Sequence, residues 1–301
     1  MTIEEQLQKT VTASRKLIML EEDKVETFLM DLAQQIKLNA YLILNENRKD
    51  LEQMDPEDPK FDRLQLTMER INDIANGIVQ VAHLPNPINR VLKEEVRPNG
   101  LKIKKVSVPF GVIGVIYEAR PNVTLDVFAL CFKSGNACIL KGGSDAFYSN
   151  KAMVSIIKDT LIRHSLDEYA VTLLSAKRSD TDKMLKAREY IDLIIPRGSQ
   201  GLIDYVRQNS TIPVIETGVG VCHTYFDKWG DIQIGKEIVF NAKTRRPSVC
   251  NTLECLIIHN SRLQDLFSLV EKLIEESVLI YADSDAYNTL NGLYPSHVLE
   301  K

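Results

Sequence analysis

The chain has 301 residues, 44% hydrophobic and 26% charged, with a formal net charge of −4 and a sequence pI near 5.8. That composition describes a folded chain of about two domains and argues against disorder. It gives no electrostatic reason to bind nucleic acid or an anionic membrane.

No apolar run is long enough to span a bilayer, and the polar, acidic stretch from Met1 to Gln8 is unlike a secretory signal. The five cysteines, Cys131, Cys138, Cys222, Cys250 and Cys255, are therefore expected as reduced thiols in a cytoplasm.

In chain order, Val25, Phe28, Leu29, Leu32 and Ile36 share one face of a first helix, and Ile71, Ile74, Ile78 and Ala82 one face of a second. The stretch from Asp55 to Asp62, with Pro56 and Pro59, reads as a loop. His83-Leu84-Pro85-Asn86-Pro87 ends the second helix, because proline cannot continue it. Val91 to Ser107 is charged, partly alternating and interrupted by Arg97-Pro98-Asn99-Gly100, the pattern of an exposed hairpin arm.

From Gly111 short apolar runs alternate with helical stretches. The runs are Val112–Tyr117, Ala137–Leu140, Val171–Leu174, Ile191–Ile195 and Pro213–Ile215; the helices fall near Val123–Lys133, Phe147–Arg163, Asp180–Ala187 and Ser199–Gln208. Such βα alternation predicts a five-stranded parallel sheet with helices on both faces. Glycines, hydroxyls and cations gather where the runs end, which is where open α/β sheets bind ligands. They suit a phosphate-bearing ligand at helix starts. A second α/β unit is expected beyond Gly220: a helix from Ile232 to Ala242, a basic loop from Lys243 to Cys250, a strand from Leu253 to His259 and a helix from Leu263 to Glu276.

Cys250 follows Lys243, Arg245 and Arg246, and nearby cations favour the nucleophilic thiolate; a buried structural cysteine is the alternative. Cys131, Cys138 and Cys255 lie on apolar segments and read as core. The Cys and His spacings do not match a zinc site, so no metal is expected. Gly111-x-x-Gly114 opens a strand and is not a dinucleotide fingerprint. Glu216 is a general base or a capping carboxylate, and Asn122 an oxyanion donor or a turn residue.

The blocks Val108-Pro-Phe-Gly-Val-Ile-Gly-Val-Ile-Tyr-Glu-Ala-Arg-Pro-Asn-Val-Thr124, Lys141-Gly-Gly-Ser144, Pro213-Val-Ile-Glu-Thr-Gly-Val-Gly220 and Arg246-Pro-Ser-Val-Cys-Asn251 resemble the signatures of the glutamate-5-semialdehyde dehydrogenase (γ-glutamyl phosphate reductase) family. Lys133-Ser-Gly-Asn-Ala137 and Pro196-Arg-Gly198 add to the likeness, which is collinear from near Thr12 to the end.

The resemblance implies an aldehyde-dehydrogenase-like α/β fold. Its parts would be a Rossmann-like parallel-sheet cofactor domain over residues 1–220, an arm at about 91–107, and a partial catalytic domain over 221–301. It implies NADPH-dependent reduction of L-glutamyl 5-phosphate to the semialdehyde in proline biosynthesis, with glutamate 5-kinase as pathway neighbour. Cys250 would be the nucleophile forming a thioester, Asn122 an oxyanion donor and Glu216 the base. Lys141, Gly143, Ser144, Gly198, Ser199 and Gly218 would meet the cofactor, with Ser144 leaving room for a 2′-phosphate. Arg120, Arg245 and Arg246 would hold the substrate's anionic groups.

Ala119, Val221 and Ser199 depart from the residues usual in the family. Because family members continue beyond this endpoint, the full-length protein is expected to be a homo-oligomer and the 301-residue chain a poor enzyme alone. The competing expectations are a CoA-acylating aldehyde dehydrogenase of the same fold and an inactive truncated chain that only binds nucleotide.

Overall fold

The structure is a computed structural model that describes residues 1–301 apart from Pro59, Ala119, Thr217, Gly218, Val219 and Ser248. The chain divides into two compact units, Met1–Thr217 and Gly218–Lys301.

The first unit begins with helices α1 (Ile3–Leu17), α2 (Glu22–Leu38), α3 (Ala40–Leu51), the single turn α4 (Phe61–Leu64) and α5 (Met68–Ala82). A capping box starts α1: the Thr2 hydroxyl accepts from the Glu5 N–H and the Glu5 carboxylate accepts from the Thr2 N–H. Thr67 caps α5 in the simpler way. The buried faces of α2 and α5 carry the residues whose spacing predicts them. The polarity of Met1 to Gln8 concealed α1, whose inner side is Leu7, Thr10, Ala13, Ser14 and Leu17.

Strands β1 (Val91–Val96) and β2 (Lys102–Val106) form the expected antiparallel hairpin, exposed along nearly its whole length. Its turn closes through Gly100 N–H to the Arg97 carbonyl, and Gly100 adopts φ 85°, a conformation that costs other residues a steric penalty.

The sheet follows: β3 (Val112–Tyr117), α6 (Asn122–Lys133), β4 (Ala137–Gly142), α7 (Phe147–Arg163), β5 (Val171–Leu173), α8 (Arg178–Lys186), β6 (Leu193–Arg197) and α9 (Gln200–Asn209). Strand order is β5-β4-β3-β6, all parallel. Every residue of β3 and β4 is buried, which explains why both read as unbroken apolar runs. The fifth expected strand is reduced to one parallel bridge, Ile194 to Val214, held by Ile194 N–H to Pro213 O and Ile215 N–H to Ile194 O. A proline without an N–H opens that run, so its ladder stays short.

Helices α2 and α6 meet through an aromatic cluster, with Phe28 4.3 Å from Phe132 and 6.0 Å from Phe128, centroid to centroid. Helix α3 is tied to α7 by polar side chains. Asp50 accepts from the Tyr148 and Ser149 N–H groups and from the Ser149 hydroxyl, placing a carboxylate at the N-terminus of α7.

The second unit has its own core around Phe226, Val239, Leu269 and Leu290. It contains β7 (Cys222–Phe226), α10 (Ile232–Thr244), β8 (Leu253–Ile258), α11 (Leu266–Val270), β9 (Ile280–Tyr281), α12 (Ser284–Leu290) and β10 (Leu299–Glu300). Strands β7 and β8 pair in parallel, as do β9 and β10. Sequence reading missed β7, whose residues other than Phe226 are only partly covered. The single helix expected from Leu263 to Glu276 is instead α11 flanked by tighter 3₁₀ turns, Asn260–Asp265 and Glu271–Ile274.

Candidate active site

The carboxyl ends of β3 and β4 open into a cavity of about 330 Å³. Lys141 and Gly142 come from β4, Glu118 follows β3, and Gly143 follows β4. Across from them stand Arg178 at the start of α8 and Tyr205 on α9. This is the position at which a doubly wound sheet receives a nucleotide.

Lys141 is buried at 5% exposure. Its ammonium donates to the carbonyls of Gly142 at 3.2 Å and Ala176 at 3.3 Å. Burial lowers its pKa, and the charge of Asp180 partly offsets that. An ammonium has three protons, and two long bonds to neutral carbonyls leave it able to serve an incoming hydroxyl or phosphate oxygen. The Gly143 N–H is already committed to the Tyr117 carbonyl at 2.9 Å.

Glu118 fixes the start of α9. Its carboxylate accepts from the Ser199 N–H at 2.9 Å and the Ser199 hydroxyl at 3.3 Å, while Ser199 caps the Leu202 N–H. Gly198 allows this approach: a Cβ there would sit 2.6 Å from the Glu118 carboxylate and 2.8 Å from Leu202. At Gly201 a Cβ would meet nothing within 4 Å, so this side of the cavity has room. Arg178 lies over the Tyr205 ring at 5.5 Å, and the Tyr205 hydroxyl donates to Asp182. The buried cation, the roomy helix start and the arginine-on-tyrosine pair fit a nucleotide cofactor.

Ser144 is not part of that lining. It starts a 3₁₀ turn, its hydroxyl lies 3.4 Å from the Asp145 carboxylate, and it borders a separate cavity of about 340 Å³ with Asp50, Asp55, Asp58 and Lys60. Gly218 lies outside the described residues.

Asn122 is the first residue of α6, and its amide donates to Asp126 at 2.9 Å. Burial raises the Asp126 pKa, and that hydrogen bond works the other way. Glu216 accepts from Arg207 at 3.4 Å through one oxygen; the other is buried without a hydrogen-bond partner among the described residues. Arg120 lies half-buried just before α6.

In the second unit, Cys250 is exposed on the turn between α10 and β8. Its carbonyl accepts from the Cys222 thiol at 3.4 Å. Arg245 ends α10 and Arg246 follows it, both exposed. The Lys243 ammonium is tied to the Leu253 carbonyl at 3.0 Å, so this cation braces α10 against β8. Cys131 and Cys138 are buried, and Cys255 is half-buried on β8.

Sequence reading missed Arg178, Tyr205 and the Glu118 clamp. Arg178 was visible only as one cation in a strand-end turn, and Tyr205 gave no signal, because its role comes from the pairing of α8 with α9.

No family model matches the chain. It is 56% identical over 300 residues to the γ-glutamyl phosphate reductase of Chlorobium phaeobacteroides, covering 100% of this chain and 72% of that one. It is 60% identical over 289 residues to that of Phocaeicola vulgatus, covering 96% and 69%. Among solved structures, the Thermotoga maritima γ-glutamyl phosphate reductase superposes with a TM-score of 0.86 at 36% identity, over 97% of this chain and 72% of that one. Likeness of this extent, running through both units, shows that the chain belongs to the γ-glutamyl phosphate reductase family.

Proposed function

We propose that the chain reduces L-glutamyl 5-phosphate to L-glutamate 5-semialdehyde with release of phosphate, using NADPH and a thioester on Cys250. The observation that carries this reading is the whole-chain likeness to γ-glutamyl phosphate reductases at 53–60% identity. A nicotinamide cofactor, when bound, supplies the hydride.

The residues divide the remaining work. Lys141 offers a buried cation to ribose or phosphate oxygens. Arg178 adds a second positive charge to the same cavity, which favours a 2′-phosphorylated cofactor. The thiol of Cys250 attacks the acyl phosphate carbon, and phosphate leaves as its bond to that carbon breaks. A thioester conserves the acyl activation that a free carboxylate would lose. Asn122 and the Cys250 N–H are the oxyanion donors that the family resemblance assigns. Arg120, Arg245 and Arg246 are assigned the anionic ends of the substrate by charge complementarity. Glu216 is available as a base, although acyl transfer from a phosphate has little need of one.

The CoA-acylating reading is not favoured. Acylating aldehyde dehydrogenases resemble the chain at 13–15% identity, which speaks for the fold alone. The decisive assay runs the reaction oxidatively with glutamate semialdehyde and NADP⁺, offering phosphate or CoA as acceptor. Phosphate-dependent NADPH formation is expected; turnover dependent on CoA and indifferent to phosphate would overturn the reading. Intact-mass analysis with glutamyl phosphate and no reductant should find the acyl group on Cys250 and none on the Cys250→Ala variant.

A further inference from the structure

We propose that Cys222 is a resolving thiol for Cys250, so that hydroperoxides convert the pair into a reversible disulfide that switches the site off and protects its nucleophile. The disulfide itself rests on geometry; its effect on turnover rests on Cys250 being the nucleophile proposed above.

Cys222 opens β7, and its thiol hydrogen reaches the Cys250 carbonyl with sulfur and oxygen 3.4 Å apart. A carbonyl oxygen lies about 2.4 Å from its own Cα, and a cysteine sulfur about 2.8 Å from its own, so this contact places the Cys222 and Cys250 Cα atoms within about 9 Å of each other. Disulfides join Cα atoms roughly 4.4–6.8 Å apart, so closing the bond takes at most a few Å of movement in the Cys250 turn. Cys250 is exposed and sits on a turn, not in the β7–β8 ladder, so side-chain rotation and a small turn adjustment can close the bond without breaking strand pairing. Cys222 is half-buried and still reachable. The other cysteines are less suited: Cys131 and Cys138 are buried in the first unit's core, and Cys255 lies opposite His223 in the ladder.

In the first step the Cys250 thiolate attacks one oxygen of the hydroperoxide. The O–O bond breaks, Cys250 takes up the terminal OH as a sulfenic acid, and the remaining oxygen leaves as alcohol or water, taking up the proton that the thiol had released. In the second, the Cys222 sulfur attacks the sulfenic sulfur and the S–S bond forms. The hydroxyl leaves with the Cys222 proton as water. The two electrons lost by the thiol pair are those gained by the peroxide. Without a resolving thiol, a sulfenic acid proceeds to sulfinic acid, which ordinary thiols do not reduce.

The test treats the folded chain with hydrogen peroxide, alkylates the remaining thiols and maps peptides by mass. The parent should lose two hydrogens, yield a peptide pair linked through Cys222 and Cys250, and regain both thiols with dithiothreitol. Cys222→Ser should instead gain two oxygens on Cys250 that dithiothreitol does not remove. A parent that accumulates sulfinic acid on Cys250 as the variant does, or that links Cys222 to Cys255, overturns the proposal. Catalytic turnover of the parent should fall and recover in step with the link. If the link forms while turnover persists, the disulfide stands and the assignment of Cys250 as nucleophile fails.

Discussion

At the scale of single residues, the proposed cofactor cavity depends on charge in a place that disfavours it. Burial lowers the Lys141 pKa and Asp180 partly restores it, while its ammonium donates to two carbonyls. Lys141→Met should therefore raise the Kd for the cofactor while leaving the fold intact, as a fluorescence titration of NADPH would show. Arg178→Ala should raise KM for NADPH several-fold more than for NADH, because only NADPH carries a 2′-phosphate for the lost charge to meet. Ser144→Glu should leave NADPH affinity near the parent's, because that hydroxyl borders a different cavity beside the Asp145 carboxylate. Equal losses for both cofactors in Arg178→Ala would remove the arginine from specificity.

A second residue-scale expectation concerns pH. Burial opposes ionisation of Asp31, yet hydrogen bonds from His164 at 2.9 Å and Gln35 at 3.1 Å, with the charge of Arg163, outweigh it and hold the carboxyl below its usual value. A depressed carboxylate pKa contributes stability above the unfolded value, about 3.9, and loses it as pH falls through the folded one. Asp31→Asn should cost about 1 kcal/mol at neutral pH. In urea melts across pH, that difference should shrink below about pH 4; a gap that persists there would contradict the assignment.

At the scale of elements, polar side chains fasten α3. Asn47 is fully buried; its amide donates to the Leu64 carbonyl at 2.9 Å and the Ser149 hydroxyl at 3.0 Å, and its carbonyl accepts from the Leu66 N–H at 2.8 Å. Removing it strands a donor and an acceptor of the backbone in the interior. Asn47→Ala should thus destabilise the first unit by about 2–4 kcal/mol, with amide exchange accelerated first around Leu64 and Leu66. A denaturation midpoint unchanged from the parent would show that water replaces the side chain. Elements with strict periodicity, α2, α5, β3 and β4, were legible because their burial is one-sided or complete. Helix α1 was not, because it buries a narrow stripe that includes Thr10 and Ser14. Strand β7 was not, because only Phe226 at its end is buried and the rest alternate between half-buried and exposed positions without an apolar run.

At the scale of the molecule, two separate cores support two units. Phe28 is wholly buried in the first and touches Phe128, Phe132 and His164. Phe28→Ala should cost about 3–5 kcal/mol and raise amide exchange throughout α2, α5 and α6. Protection of α10 and α11 should stay near the parent's; equal loss in both units would mean that the cores unfold as one.

The amino-acid sequence by itself determined the parallel βα architecture, the hairpin arm, the family and the candidacy of Cys250, Asn122 and Lys141. Those follow from periodicity, turn residues and collinear motifs, all of which are local along the chain. Only the tertiary structure decided that Lys141 shares a cavity with Arg178 and Tyr205, that Ser144 faces a different one, and that Lys243 is spent on the Leu253 carbonyl. It also decided that Cys222 lies against the Cys250 backbone. Each of these joins residues brought together by strand order or helix packing, and long-range proximity of that kind leaves no mark in local spacing.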